Sequence, residues 1–280
     1  MLTDFLPPRS ALFVPASNPK ALAKIPTLGA DMVIVELEDA VRPEDKDEAR
    51  KTALEVLKGD FGGAIKAVRI NAIGTAWHKD DVSALAGSGA HTIVVPKVES
   101  VDAIEELANL LGRRVLAMIE TPVAIQHVEA IAAARGVAGL IAGTNDIAHQ
   151  MRLPPDPDRD GLKLALQSIV LAARASGIWA LDGVFNALDD EAGLGAECAQ
   201  GRRWGFDGKT LIHPRQVAIA NHSFGPSEAE VEEARALIAA AKSHAKENGD
   251  GIGALRFRDR MVEDMHVATA RAIIERADAQ

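Results

Sequence analysis

The chain has 280 residues, enough for one large domain or two small ones, and its 48% hydrophobic and 25% charged content is that of a globular protein. With 31 Lys and Arg against 40 Asp and Glu, the net charge is −9, which argues against a broad nucleic-acid or anionic-membrane surface. A single cysteine leaves no disulfide framework and no thiolate metal cluster.

Eight apolar runs follow one another, each stopping on a polar or charged residue. They are SALFV (10–14), MVIVEL (32–37), AVRI (67–70), TIVVP (92–96), VLAMI (115–119), AGLIAG (138–143), IWALDG (178–183) and DGKTLI (207–212). Stretches with helical spacing separate them. The first, 18–29, opens on Asn18 and Pro19, and the next, 43–58, opens on Pro43. Three more follow at 100–111, 122–135 and 160–176. This alternation predicts an α/β fold, a (β/α)8 TIM barrel over residues 1–222 with its chemistry on the rim where strands hand over to helices. Residues 223–280 are a C-terminal extension: a helix at 226–246, a hinge or turn at NGDGIG (248–253), a hairpin in ALRFRDRMVE and a last helix in HVATARAIIERA. The amino terminus lacks the pattern of a signal peptide, and no run reaches the roughly 18 apolar residues of a membrane span. The expectation is a cytoplasmic protein without membrane or nucleic-acid partners.

The strand-end stops carry the candidate chemistry. Glu120 follows VLAMI and Asp146 follows GLIAGTN, on adjacent strands of one rim. Two hard oxygen ligands with space between them suit Mg²⁺; each acid alone would be read as a helix cap. Arg69 lies near the end of AVRI, where a guanidinium grips a carboxylate or stabilises an oxyanion, or else pairs with Glu36, Glu38 or Asp39 of ELED. Lys97 and His213 are each placed to be a base or Schiff-base group, with an ion-pair partner of these acids as the alternative for Lys97 and the start of a loop for His213. Cys198, in AECAQ, reads as a small apolar helix residue. Arg9, Lys20 and Lys24 form a candidate phosphate-binding group, with an ordinary solvated helix face as the alternative. FDGKT (206–210) is not a P-loop, because Arg203 stands where that motif needs glycine, and no HExxH, GxSxG or GxGxxG occurs.

Taken together, RSALFVPASNPK, ADMVIVELEDAV, VRIN, VPKVES, IETP, GTNDIA, LPPDPDRD, ALDGVF and GFDGKTLIHPRQ resemble the citrate lyase β-subunit-like CoA-ester lyases of the HpcH/HpaI aldolase group. The resemblance implies Mg²⁺ held by Glu120 and Asp146, and Arg69 on the reacting carbonyl or carboxylate. It implies a CoA substrate whose phosphates lie near Arg9, Lys20 and Lys24, and a homotrimer or hexamer. GALRFRDRMVEDMHVATA looks like the lid that stand-alone malyl-CoA and citramalyl-CoA lyases lend to a neighbouring subunit, with Glu263 or Asp264 as its acid. The implied reaction is cleavage of citramalyl-CoA or malyl-CoA to acetyl-CoA and a 2-oxo acid, the proton going to that lid acid or to a water ordered by Glu36. Alternatives are a malyl-CoA-type thioesterase, a CoA-independent pyruvate aldolase, and a citryl-carrier lyase subunit of a larger complex. Departures from the family pattern are Glu36 for an aspartate, Ala16 for a glycine and Asn145 for a frequent glutamate.

Overall fold

The computed structural model describes residues 5–248 and 255–279. Strands β1 (Ser10–Pro15), β2 (Met32–Glu36), β3 (Ile65–Arg69), β4 (Thr92–Val95), β5 (Val115–Ile119), β6 (Val137–Ala142), β7 (Trp179–Asp182) and β8 (Gly208–Leu211) pair in sequence order, all parallel. The pairing of β1 with β8 closes the barrel. The fold is therefore the (β/α)8 TIM barrel.

Side-chain alternation along the strands makes two cores. Ala11, Met32, Ile34, Ala67, Leu116 and Ile141 fill the lumen. Their strand neighbours Leu12, Val33, Val35, Val68 and Ala117 face outward into a larger core shared with the helices. Those helices are α1 (Pro19–Leu22), α2 (Lys46–Leu57), α3 (His78–Leu85), α4 (Val101–Leu111), α5 (Pro122–Gln126), α6 (Val128–Ala133), α7 (Thr144–Gln150), α8 (Lys163–Ala175), α9 (Glu191–Trp204) and α10 (Gln216–Phe224).

Three expected helices are shorter or broken. The 18–29 stretch is one turn of α-helix followed by a 3-10 turn at Ile25–Thr27, and Pro43–Asp45 is likewise 3-10 before α2. The 122–135 stretch breaks at His127, whose backbone (φ −107°, ψ 9°) leaves the helical region.

The chain divides into two compact units, Met1–Phe224 and Gly225–Gln280, against an expected boundary at 222/223. The second unit contains α11 (Glu228–Asn248), an antiparallel hairpin of β9 (Leu255–Phe257) and β10 (Arg260–Val262), and α12 (Asp264–Asp278). Ala234, Leu237, Ala241, Val262, Val267 and Ala270 form its own small core. Of the expected hinge at 248–253, Asn248 ends α11 and the rest lies outside the described residues.

Candidate active site

The barrel register places the site. Glu36 and Arg69 are the last residues of β2 and β3 and stand opposite each other. Glu120 follows β5 directly, and Asp146 lies in the first turn of α7 just beyond β6. These four side chains line one cavity of about 320 Å³ at the carboxyl ends of the strands. Gly143 makes their approach possible: a Cβ there would sit 2.2 Å from the Cβ of Glu120.

A chain of ion pairs runs from the cavity wall to the exposed Lys97. Arg69 Nε donates to Glu36 Oε2 at 2.5 Å, and Arg69 Nη1 lies 3.4 Å from Glu38 Oε2. The guanidinium also sits 4.6 Å from the centre of the Phe13 ring and reaches Met118 Sδ at 3.7 Å. Lys97 Nζ donates to Glu38 Oε1 at 2.6 Å, while its backbone N–H donates to Glu120 Oε1 at 2.6 Å. The residue adopts φ 51°, a left-handed conformation uncommon for a side chain of this size. The Glu38 backbone N–H donates to Glu36.

Lys46 supports the same loop from below. Its ammonium is buried and donates to the carbonyls of Leu37 (2.7 Å) and Glu38 (2.6 Å) and to Asn71 Oδ1 (2.6 Å). Asn71 Nδ2 in turn donates to Asp81 Oδ2 at 2.7 Å, and Arg50 Nε donates to Asp81 Oδ1 at 2.8 Å.

Burial pushes the carboxyls of Glu36 and Glu38 up, against the pull of Arg69 on both and of Lys97 on Glu38. Burial likewise raises Glu120, to about 7, and the nearby Glu38 and Asp146 add to the rise against Lys97. Lys97 is raised: desolvation works against its charge, but Glu38, Glu120 and Asp39 outweigh it. A cavity whose acids repel one another is one that a cation stabilises. The donor set fits Mg²⁺, which takes one or two carboxylates and completes its shell with water and ligand oxygens. Among the described residues no group of three or more His, Cys, Asp or Glu gathers as a metal cage, so a tetrahedral zinc centre has no donors here.

Helix capping does not account for either acid. Thr121 caps α5 through its hydroxyl, which accepts from the Ala124 N–H at 3.0 Å, and Gly143 is the N-cap of α7. The ion-pair expectation for Lys97 holds, as does the buried helical setting of Cys198. His213 begins the loop after β8, where its Nδ1 accepts from the Arg215 N–H.

Arg9 is corrected. It precedes β1 rather than following it, and both its side chain and its backbone N–H are committed to Asp31 at the amino end of the barrel. Lys20 is exposed beyond the carboxyl end of that strand, a strand length of roughly 17–20 Å away. The structure does not bring Arg9 to Lys20; Lys24 is also exposed. Glu263 and Asp264 belong to the second unit, where both are exposed. Glu263 opens α12, its N–H donating to His266 Nδ1 at 3.0 Å. Sequence reasoning missed Lys46, Asn71 and Phe13. A lysine among the acids of an amphipathic stretch carries no sign that it is buried; the only available signal was Lys46 preceding the apolar stripe of α2.

Comparison with known proteins gives the family. The model of the HpcH/HpaI aldolase/citrate lyase family matches residues 9–214. A (3S)-malyl-CoA thioesterase of Cereibacter sphaeroides is 43% identical over 275 residues, covering 98% of this chain and 95% of the relative. Citrate lyase subunit beta of Leuconostoc mesenteroides is 35% identical over 285 residues, covering 97% and 93%. The crystal structure of the protein CitE from Mycobacterium tuberculosis in complex with magnesium, acetoacetate and coenzyme A superposes with a TM-score of 0.80 at 32% identity, covering 96% of this chain and 97% of that one. The buried acids and the arginine at the barrel mouth are thus set in a chain that belongs to the HpcH/HpaI aldolase/citrate lyase family.

Proposed function

We propose that the chain is a Mg²⁺-dependent carbon–carbon lyase that cleaves a 3-hydroxyacyl-CoA with a terminal carboxylate, of the citramalyl-CoA or malyl-CoA type, to acetyl-CoA and a 2-oxo acid. The observation that carries this reading is the pairing of two acids, Glu120 and Asp146, with Arg69 across one cavity whose lining contains no cysteine, serine, histidine or lysine nucleophile. Glu120 and Asp146 would hold Mg²⁺, which would supply Lewis acidity to the oxygens of the ligand. Arg69, kept charged by Glu36 and Glu38, stabilises the oxyanion that develops on the thioester carbonyl, a contribution worth roughly 3–4 kcal/mol. Glu36, buried against Arg69, orders a water that accepts the hydroxyl proton, or Glu263 or Asp264 of a neighbouring subunit's lid accepts it. Lys20 and Lys24 are the remaining candidates for the CoA phosphates, in a cytoplasmic homotrimer or hexamer.

A second reading has its own support. The 43% identical relative is a (3S)-malyl-CoA thioesterase, and the same acids serve hydrolysis if water attacks the thioester. Product analysis decides between them. The purified chain with Mg²⁺ and either malyl-CoA or citramalyl-CoA is expected to release acetyl-CoA with one equivalent of 2-oxo acid. Free CoA thiol with intact malate or citramalate makes the chain a hydrolase, and no turnover of either thioester removes both readings.

A further inference from the structure

A second cavity, of about 870 Å³, lies beside the first within the barrel unit. The two share four lining residues, Thr144, Asn145, Val184 and Asn186. Thr144 is buried, and Gly183 packs so tightly on it that a Cβ would fall 2.3 Å from its Oγ1, so this part of the shared wall is fixed. The two asparagines are different. Asn186 Nδ2 donates to Asn145 Oδ1 at 2.8 Å, and Asn145 Nδ2 donates to Asn186 Oδ1 at 3.3 Å. Both side chains are exposed, so water can replace each of these bonds when the pair parts.

Beyond the pair, Ala148, Leu153, Leu162 and Phe185 give the second cavity an apolar flank. The opposite side is polar, with Asp156, Asp158, Asp190 and Glu197 beside Arg159. Arg159 is 6% exposed and anchored to Asp182 at 2.9 Å, yet its Nη2 has no hydrogen-bond partner. That Nη2 is itself buried, so the apolar flank is what the cavity offers, and it suits a plain aliphatic group.

We propose that the Asn145–Asn186 amide pair is a specificity gate: closed, it limits the candidate site to short 2-oxo acids, and opened, it admits a longer aliphatic substituent into the second cavity. The gate deepens the lyase reading and rests on it for the substrate class. Its test is direct binding, independent of turnover. Calorimetry with Mg²⁺ compares pyruvate and 4-methyl-2-oxopentanoate on the full chain. Wild type is expected to favour pyruvate. Asn186→Ala is expected to improve affinity for the branched acid relative to pyruvate about tenfold, and Asn145→Ala to move it the same way. Adding Leu153→Trp to Asn186→Ala, which fills the second cavity, is expected to cancel the gain.

An unchanged preference in both asparagine variants overturns the gate, as does a gain that survives Leu153→Trp. Binding of neither acid to wild type overturns the gate together with the site. If the acids bind as expected but no thioester is cleaved, the lyase reading fails while the gate stands.

Discussion

Glu120 sits where its charge is least welcome, buried and beside two other acids, and its carboxyl is raised to about 7. The sign of the pH dependence follows. In the metal-free protein this group contributes stability that is full below its free value of 4.5 and is lost as the pH rises through about 7. Mg²⁺ competes with that proton, so its affinity is expected to be about tenfold weaker at pH 6 than at pH 8, and thermal stabilisation by Mg²⁺ correspondingly larger at pH 8. Calorimetric titration at the two pH values measures both effects; an affinity independent of pH would remove Glu120 from the metal site. Arg69 makes a different prediction. Arg69→Met is expected to lower kcat about 10²–10³-fold in the cleavage assay, with a smaller change in KM. Arg69→Lys is expected to recover little of it, because an ammonium does not reproduce the fork that meets Glu36 and Glu38 together.

At the scale of elements, the loop after β2 is held by a lysine that makes no contact with the cavity. Lys46→Met leaves the carbonyls of Leu37 and Glu38 and the Asn71 side chain without their donor, which is expected to cost about 3 kcal/mol in denaturant unfolding. Because Glu38 leads through Lys97 to Glu120, the variant is also expected to bind Mg²⁺ more weakly; Mg²⁺ affinity equal to wild type would separate this loop from the site. What the sequence made legible follows from barrel geometry. Strand ends converge on one rim, so Glu36, Arg69, Glu120 and Asp146 were recognisable from where their apolar runs stop. Arg9 and Lys20 lie on opposite sides of the first run, and so at opposite ends of β1, a distinction that nearness in sequence hides. The helices α3, α7 and α10 were not picked out, being seven to nine residues long, too short for apolar periodicity to declare itself. Lys46 was invisible because burial of a lysine is decided by the carbonyls folded over it, which no local pattern records.

At the scale of the molecule, two units with separate cores divide the labour the account requires. The barrel unit holds the cavity, its acids and Arg69, while the second unit carries Glu263 and Asp264 on the first turn of α12. A chain shortened to residues 1–224 is therefore expected to unfold cooperatively and to keep its Mg²⁺ affinity, but to lose turnover if either acid is the proton acceptor. Glu263→Gln and Asp264→Asn in the full chain then show which of the two is responsible, and turnover undiminished in the shortened chain would return the role to Glu36. The claim on which everything else depends is that Glu120 and Asp146 together form the metal site of a CoA-thioester lyase. It is tested most directly by Mg²⁺-dependent cleavage of malyl-CoA and citramalyl-CoA by wild type, Glu120→Ala and Asp146→Ala, each checked for unchanged folding. The account predicts Mg²⁺-dependent release of acetyl-CoA by wild type and its loss in both variants; Mg²⁺-dependent cleavage that persists in both would contradict it.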